Sequence, residues 1–228
     1  LPVLSNILIS TESTGLKLAA TNLETGIVFR IGAKIEDEGS ITVPAKTIVE
    51  LVANLSAGQL LLETKDEHLQ ISNQKARVNL SGILSSEFPI IPDKIEGVEF
   101  SLDTKFLTEL KNQVGFAASN DESRPVLTGI LFRSAKDSLQ IVATDGFRLS
   151  CKIISKSQIG ERSLLVPAKV IDEICKVTSD GEEQIQVALI EKTKQIIFAN
   201  KNLVLTGRLI EGEFPNFEKI IPKGYLLR

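Results

Sequence analysis

The feature that most constrains the fold is a pattern that the chain repeats after more than a hundred residues. Four blocks match in order, three at a spacing of 123 residues and the last at 126: LPVLSNILI at 1–9 with RPVLTGILF at 124–132, ATN at 20–22 with ATD at 143–145, VPAK at 43–46 with VPAK at 166–169, and EFP at 87–89 with EFP at 213–215. Ordered matches of this kind indicate duplicated domains, because the period is far longer than the 20–50 residues of a solenoid unit.

The repeat predicts two domains within the 228 residues. The predicted domains are residues 1–95 and 96–222. Two prolines and several charges interrupt the pattern at the border, in PIIPDKIEGVEF at 89–100. The second copy opens with the helical segment DTKFLTELKNQVGF, which has no counterpart before Leu1. The first copy is therefore predicted to be incomplete, and a three-residue insertion in a hairpin explains the change of spacing.

Hydrophobic periodicity predicts an α+β fold, in which helices pack on one face of antiparallel, curved sheets. Ser138–Thr144 and Gln184–Leu189 alternate apolar and outward positions, which predicts strands that are buried on one face only. Helices are predicted over Lys105–Val114 and Ala168–Val177, and a third, after Pro44, is the first-copy counterpart of the latter. Their predicted buried stripes are Phe106, Leu107, Leu110 and Val114; Val170, Ile171, Ile174 and Val177; and Ile48, Leu51, Val52 and Leu55.

The inventory of reactive side chains argues against an enzyme. His68 is the only histidine and lies in an alternating segment, where it is predicted to be an exposed strand residue. Cys151 and Cys175 have no metal-ligand spacing and are predicted to be small core residues. Acidic pairs such as Asp121-Glu122 fit solvated surface, and no phosphate, nucleophile or metal motif occurs, so no cofactor and no metal are expected.

Composition and charge narrow the class of protein further. A net charge of -3 argues against a uniformly basic nucleic-acid wrapper but leaves a local basic strip open. No apolar run reaches the roughly 20 residues that span a bilayer, so no membrane association and a cytoplasmic location are expected.

The residues of the stretch VATDGFRLS at 142–150 allow two interpretations. Asp145-Gly146 suits the turn of a β-hairpin. Phe147, Arg148 and Leu149 then place an aromatic, a cationic and an aliphatic side chain together, and such residues often anchor a protein partner. The residues alone leave a plain hairpin and a binding rim equally open.

With these pieces together, the sequence resembles the bacterial DNA polymerase III beta subunit family, the replicative sliding clamps. The resemblance rests on LPVLSNILI, ATNLE, ITVPAKTIVEL and EFPIIP in the first copy, and on RPVLTGILF, VATDGFRL, LLVPAK and GEFPNFEKIIP in the second. It implies a subunit of three similar domains, of which most of the first and all of the second are present, and it makes residues 223–228 the start of a linker to the third. It further implies a non-catalytic processivity factor, active as a homodimeric ring around duplex DNA without sequence preference.

The resemblance also implies two sets of functional residues. Helices line the hole of the ring, which makes Lys46, Lys105, Arg124, Lys169 and Lys176 the candidates to face DNA. A groove on the second domain would bind the DNA polymerase III alpha subunit, the clamp loader and other proteins with clamp-binding motifs. Its expected wall is Leu127, Thr144, Gly146, Phe147, Arg148, Leu149, Pro215, Lys219 and Ile220. Phe147 stands where the family often has histidine, and Lys219 where arginine is common.

Two other classes of function remain open on the residues alone. One is a repeat-built protein interaction scaffold that does not bind DNA. The other is a carboxylate-dependent hydrolase acting on nucleic acid, although no motif distinguishes any of the acidic residues.

Overall fold

A computed structural model describes residues 1–96, 100–135, 138–155, 161–178, 184–219 and 221 of the chain. The chain forms two compact units. The first comprises Leu1–Val98, Ile185–Ile190 and Ile197–Gly207, and the second comprises Glu99–Gln184, Glu191–Ile196 and Arg208–Arg228. The first unit thus recruits strands that the sequence repeat assigns to the second copy.

Strands and short helices alternate along the described residues. The helices are α1 (Ala45–Asn54), α2 (Thr104–Gln113) and α3 (Ala168–Val177). The strands are β1 (Asn6–Glu12), β2 (Gly15–Thr21), β3 (Thr25–Gly32), β4 (Ser40–Pro44), β5 (Leu61–Lys65), β6 (His68–Ser72), β7 (Arg77–Ser81), β8 (Phe100–Asp103), β9 (Gly129–Ala135), β10 (Ser138–Thr144), β11 (Leu149–Ser155), β12 (Arg162–Pro167), β13 (Gln184–Ile190), β14 (Gln195–Ala199) and β15 (Leu203–Arg208).

The first unit is built on two sheets and one helix. Its larger sheet has the order β4-β1-β2-β3-β15-β14-β13, and its smaller sheet has the order β5-β6-β7. Ile9 on β1, Val43 on β4 and Leu69 on β6 share one buried cluster with Ile48 of α1. The helix therefore contributes one apolar edge to a core that the two sheets supply.

The second unit places a pair of helices with a four-stranded antiparallel sheet of order β11-β10-β9-β12. Helices α2 and α3 pack against each other, and Lys111 on α2 lies 3.5 Å from the carboxylate of Asp172 on α3. Leu107 and Leu110 of α2 and Ile174 of α3 are fully buried. The α+β class and the antiparallel sheets that the sequence predicts are confirmed.

The buried stripes of the helices are narrower than the sequence predicts. Ile48 is buried as expected, but Val52 is 48% exposed, and its neighbour Val49 is exposed as well. Val177, predicted to be buried at the end of α3, is 39% exposed. Both predictions were wrong because an apolar residue at helical spacing is buried only where another element covers it.

Strand β10 is more deeply buried than its alternation suggests. Ile141, Val142 and Ala143 are all fully buried, so neighbouring residues are covered on both faces of the sheet. The prediction of a strand buried on one face only was wrong here, because Val142 packs with Phe217 on one face while Ile141 and Ala143 are buried on the other. Alternation in the sequence did not report the second covered face.

The cysteines and the histidine are surface or near-surface residues. His68 is exposed on β6, as predicted. Cys151 is exposed on β11, which contradicts its assignment to the core, and Cys175 is half-buried on α3. Partial burial of the sulfur raises the pKa of both thiols above the ordinary value. Both side chains are therefore protonated at neutral pH, which gives them little nucleophilic character.

The change of repeat spacing can be assigned to particular hairpins. Strands β5 and β13 begin 123 residues apart, β6 and β14 begin 127 residues apart, and β7 and β15 begin 126 residues apart. The second copy therefore gains four residues around the β13–β14 turn and loses one before β15. The net insertion of three residues in the hairpins is confirmed.

None of the three described helices is both long enough and apolar enough to cross a bilayer.

Candidate functional site

The centre of the candidate site is the Thr144–Arg148 loop, which joins β10 to β11. The Thr144 hydroxyl donates to the Arg148 carbonyl at 2.7 Å and accepts the Gly146 N–H at 3.1 Å. Oδ1 of Asp145 accepts the N–H groups of Phe147 and Arg148 at 2.9 and 3.0 Å. Such Asx-type bonds replace the strand ladder with local contacts, so the loop is held in one conformation.

Gly146 suits the backbone conformation of this loop, and the protonation state of Asp145 follows from the groups around its carboxylate. Gly146 has a φ of +93°, a conformation that L side chains adopt only with strain. The N–H groups of Arg148 and Phe147, followed by the Arg148 charge, hold the pKa of the Asp145 carboxyl below its ordinary value. Asp145 therefore stays ionised and keeps accepting these bonds well into the acidic range.

An aromatic and cationic rim projects from the loop. Phe147 is 95% exposed. The Arg148 guanidinium lies 3.1 Å from Oδ2 of Asp145 and 5.4 Å from the ring centre of Phe116, which is itself 52% exposed. The carboxylate and the ring together fix the direction of the Arg148 side chain. Sequence reasoning missed Phe116, whose only signal was an aromatic residue directly after the α2 pattern.

Below the rim lies an apolar floor. Leu131, Val142, Leu165 and Phe217 form its buried centre. Four partly buried side chains pack around this centre at the surface: Val126, Leu149, Ile210 and Phe214. Of these four, only Leu149 was among the predicted groove residues. The other three lie inside the repeated blocks RPVLTGILF and GEFPNFEKIIP or beside them, and their apolar character there was the signal that could have found them.

Glycines let the segments around this floor approach closely. A Cβ on Gly129 would lie 2.8 Å from the Cδ1 atoms of both Ile210 and Leu165. Gly212 has a φ of +139°, and a Cβ there would lie 2.6 Å from Val126 Cγ1. The chain after β15 can therefore lie directly against the start of the second copy.

The far wall is the segment after β15 that contains the repeated EFP motif. Pro215 is half-buried, Phe217 is buried, and Lys219 is exposed at the end of a short helical turn, Phe217–Lys219. Arg133 on β9 holds this turn: its guanidinium lies 4.7 Å from the Phe217 ring centre and pairs with Glu218. Ile220, the remaining predicted member, lies outside the described residues.

The predicted groove residues thus divide into three groups. Leu127 and Thr144 are buried and support the loop, so they offer little surface to a ligand. Gly146, Phe147 and Arg148 are exposed on the rim, and the third group is half-buried Leu149 at the floor with half-buried Pro215 and exposed Lys219 on the far wall. Leu149, next to the loop, and Phe217, in the turn, both pack in the floor, and the exposed apolar edges there are able to accept hydrophobic side chains.

The basic residues predicted to face DNA are all exposed. Lys46, Lys105 and Lys169 are each the second residue of their helix. Lys169 pairs with Glu122 at 2.7 Å, and Lys176, in the last turn of α3, pairs with Glu173 at 2.8 Å. Arg124 lies 3.4 Å from Asp121. Within the described residues, Lys46 and Lys105 have no carboxylate within 4.0 Å.

The described residues hold no cluster of three or more histidine, cysteine or acidic side chains suited to a metal ion.

Two family models match the chain in order. The model described as "DNA polymerase III beta subunit, N-terminal domain" matches residues 1–92, and the one described as "DNA polymerase III beta subunit, central domain" matches residues 101–216. Together they leave only the border and the last residues unmatched.

Curated relatives and solved structures agree with these matches. The beta sliding clamp of Chlamydia pneumoniae is 34% identical, over 97% of this chain and 60% of that protein. The beta sliding clamp of Synechocystis is 30% identical, over 98% of this chain and 63% of that protein. The chain therefore spans less than two thirds of these relatives.

Among solved structures, the DNA polymerase sliding clamp from Bacillus subtilis superposes with a TM-score of 0.89 at 26% identity, over 98% of this chain and 61% of that one. The sliding clamp from Bartonella birtlesii, bound to griselimycin, superposes with a TM-score of 0.90 at 30% identity, over 98% of this chain and 62% of that one.

Proposed function

The chain belongs to the DNA polymerase III beta subunit family, and on that premise we propose that the protein is a sliding clamp. In this proposal it is a non-catalytic processivity factor that encircles duplex DNA as a homodimeric ring in the cytoplasm. It tethers the DNA polymerase III alpha subunit, the clamp loader and other partners that carry clamp-binding motifs. The proposal includes domain limits of 1–95 and 96–222, with a linker from 223.

One observation carries the DNA-binding part of the proposal. Each of the three described helices opens with an exposed lysine at its second position, Lys46, Lys105 and Lys169. The N-terminus of a helix carries partial positive charge, so a lysine there adds to a field that already attracts phosphate. Phosphate contacts contain no sequence information, which suits a protein that must move along any duplex.

The ion pairs of three of the candidate basic residues fit weak and exchangeable contact with DNA. Arg124, Lys169 and Lys176 each lie within 3.4 Å of a carboxylate at the surface. Such surface pairs contribute at most about 1 kcal/mol and exchange readily, so a passing phosphate can replace the carboxylate. Moderate attraction of this kind favours sliding over tight static binding.

Topological retention on DNA tests the clamp proposal. The full-length protein is loaded by its loading factor onto a nicked circular DNA, washed in high salt, and the DNA is then cut once. We expect retention on the circle, because salt does not open a closed ring, and loss from the linear form. Loss at high salt before cutting indicates charge-based binding alone and contradicts the proposal. Absence from DNA throughout favours the interaction scaffold, a reading that the relatives do not support.

The contribution of the helix-opening lysines can be measured separately. For the full-length protein on linear duplex DNA, we expect Lys46→Ala with Lys105→Ala to reduce the magnitude of the slope of log affinity against log salt by about 4 for the proposed dimeric ring, because two phosphate contacts are lost in each subunit. Lys75→Ala, an exposed lysine in the β6–β7 turn, is the matched control and leaves the slope unchanged. Equal effects of the two changes contradict the assignment.

The groove of the second unit is the proposed docking site. We expect Leu149→Ala or Phe147→Ala to weaken binding of a peptide with a clamp-binding motif to the full-length protein by about 1–3 kcal/mol, because exposed apolar anchors dominate such contacts. Leu23→Ala, an exposed apolar residue in the corresponding loop of the first copy, is the control and leaves affinity unchanged. Unchanged titration curves for both groove variants contradict this site.

A further inference from the structure

We infer that Arg133 is a positioning residue for peptide docking, acting through the turn that carries the far wall of the groove. The inference rests on the proposed docking function. Arg133 lies on β9, away from the rim, and neither its position nor its type was suggested by the sequence. What it holds in place is the Phe217–Lys219 turn and, with it, the neighbouring Pro215.

The contacts of Arg133 come from three sides. Its Nε and Nη2 atoms both donate to Oε1 of Gln140, its cross-strand partner on β10, at 3.0 and 2.6 Å. Nη2 also donates to a carboxylate oxygen of Glu218. The guanidinium lies over the ring of Phe217, 4.7 Å from its centre. Gln140 thus fixes the fork of the guanidinium, which then contacts two consecutive residues of the turn.

Within the turn only Phe217 is an apolar anchor, because Glu218 and Lys219 are exposed. Phe217 is buried, but Phe214, the aromatic residue of the repeated EFP motif, is only partly buried at the edge of the floor. Phe88, the corresponding residue of the first copy, is buried within its cluster. Apolar burial alone therefore does not fix the exposed Glu218, and a guanidinium with planar, forked donors supplies a polar contact to it.

The first copy holds its own EFP segment with a different set of charges. Arg30 donates to the backbone carbonyl and to Oδ2 of Asp93, both at 3.2 Å, and Lys17 donates to the same Oδ2 at 3.2 Å. By the repeat spacings, Ser10 and Pro92 stand where the second copy has Arg133 and Glu218. The Arg133 arrangement is therefore a property of the copy that carries the open groove.

A peptide titration with matched variants tests this inference. In the full-length protein, Arg133→Met keeps an extended apolar side chain but removes the donors, and Arg30→Met makes the same change in the first copy. The probe is a labelled peptide with a clamp-binding motif. We expect Arg133→Met to raise the peptide Kd about 5- to 10-fold and Arg30→Met to leave it unchanged, since only the former acts on the groove wall.

A coupling measurement separates positioning from general stability. If Arg133 acts through the turn, Lys219→Ala should remove much of the effect of Arg133→Met, so that the two changes together cost less than their sum. Arg133→Lys should restore affinity only in part, because an ammonium cannot bridge Gln140 and the Phe217 ring as a planar fork does. Should Arg133→Met fold poorly by circular dichroism, Glu218→Gln is the milder variant, with an expected 2- to 3-fold loss.

The outcomes distinguish this inference from the docking function. If Leu149→Ala weakens binding while Arg133→Met and Glu218→Gln do not, the positioning role is wrong and the groove stands. If Arg30→Met weakens binding as much as Arg133→Met, the effect is general stability and the inference is also wrong. If Leu149→Ala has no effect, the docking site itself is wrong. The inference is supported if the Arg133 and Glu218 variants lose peptide affinity, if the effect of Arg133→Met is coupled to Lys219, and if Arg30→Met leaves the affinity unchanged.

Discussion

The hairpin loops of the two copies share one hydrogen-bond frame. In the first copy, the Thr21 hydroxyl donates to the Thr25 carbonyl at 2.9 Å, and Asn22 Oδ1 accepts the N–H groups of Glu24 and Thr25 at 3.1 and 2.7 Å. The Thr144–Arg148 loop repeats each of these contacts at a spacing of 123 residues. A threonine followed by asparagine or aspartate is enough to build this loop, because the bonds are local.

What differs is the space beside the loop. Gly26 follows the first loop, and a Cβ there would lie 2.2 Å from Ile91 Cγ2. The Ile91 side chain therefore fills the space that a side chain at position 26 would need. In the second copy the corresponding residue is Leu149, which stays half-exposed. The loop alone therefore does not make a groove. The side chains that follow it, and the segment with the EFP motif that packs on them, decide whether the surface is closed or open.

The helices that follow Pro44 and Pro167 also match in sequence position but differ in how far their apolar residues are covered. Ile48 of α1 and Ile171 of α3 are both buried at matching positions. Leu51 of α1 is only half-buried, whereas its counterpart Ile174 is fully buried in the unit where α3 packs against α2. Equivalent residues of the two helices should therefore contribute different amounts to the free energy of unfolding.

Truncation at this helix position should give the largest difference between the copies. We expect Ile174→Ala to lower the free energy of unfolding by about 3–4 kcal/mol, since it empties a fully buried site. Leu51→Ala should cost only about 1 kcal/mol, because less apolar area leaves a buried environment. Urea unfolding followed by circular dichroism measures both. Equal losses would show that the two helices are packed alike.

Exchange of the residue after the loop tests the closed and open surfaces directly. Gly26→Leu should destabilise the protein by about 2 kcal/mol, because the new side chain competes with Ile91 for one space. Gly26→Leu combined with Ile91→Ala should recover only part of that loss in the same unfolding experiment, because the new Cβ would still lie 2.8 Å from Thr206 Oγ1. A single variant as stable as the parent protein would mean that Ile91 moves aside without cost.

The loop backbone predicts a smaller and unequal pair of effects on stability. Leu23 has a φ of +76° and Gly146 a φ of +93° at equivalent positions. Gly146→Leu should cost about 1 kcal/mol in left-handed strain, whereas Leu23→Gly should change stability by less than about 0.5 kcal/mol, as relieved strain offsets the added freedom of the unfolded chain. Thermal unfolding measures the stability change of each variant. Equal losses of stability would contradict this prediction.

A change of pH should affect only the second loop, and only locally. The pKa of Asp145 is lowered by the bonds it accepts, so its contribution is present above the unfolded-state value of about 3.9 and is lost as the pH falls through the lowered folded value. Asn22 accepts the equivalent bonds and does not titrate. Hydrogen exchange at the Phe147 and Arg148 amides should therefore accelerate in acid relative to that at Glu24 and Thr25. Asp145→Asn should abolish the difference; its persistence would point to another titrating group.

Local patterns allowed much of the fold to be predicted. The repeat predicts two similar loops and helices, β10 is found at its predicted bounds, and α3 spans Ala168–Val177 as its periodicity predicts. In each case, the deciding bonds or contacts lie within a few residues of one another, so a single short stretch contains the information.

The parts that could not be predicted depend on contacts between distant residues. The exposure of Val52 and Cys151 depends on which elements cover them. Arg133 meets Phe217, 84 positions later, and Phe116 meets Arg148, 32 positions later. Neither pair has a periodic or spacing signal, because the match is made by the folded sheet and not by the local chain.

The side chain of Ile91 also bears on the proposed docking function. With Gly26 already covered, the described part of the chain offers a hydrophobic ligand one vacancy beside a repeated loop instead of two. Under that proposal, two proteins that recognise the same peptide chemistry compete for a single place on the chain and bind it in turn.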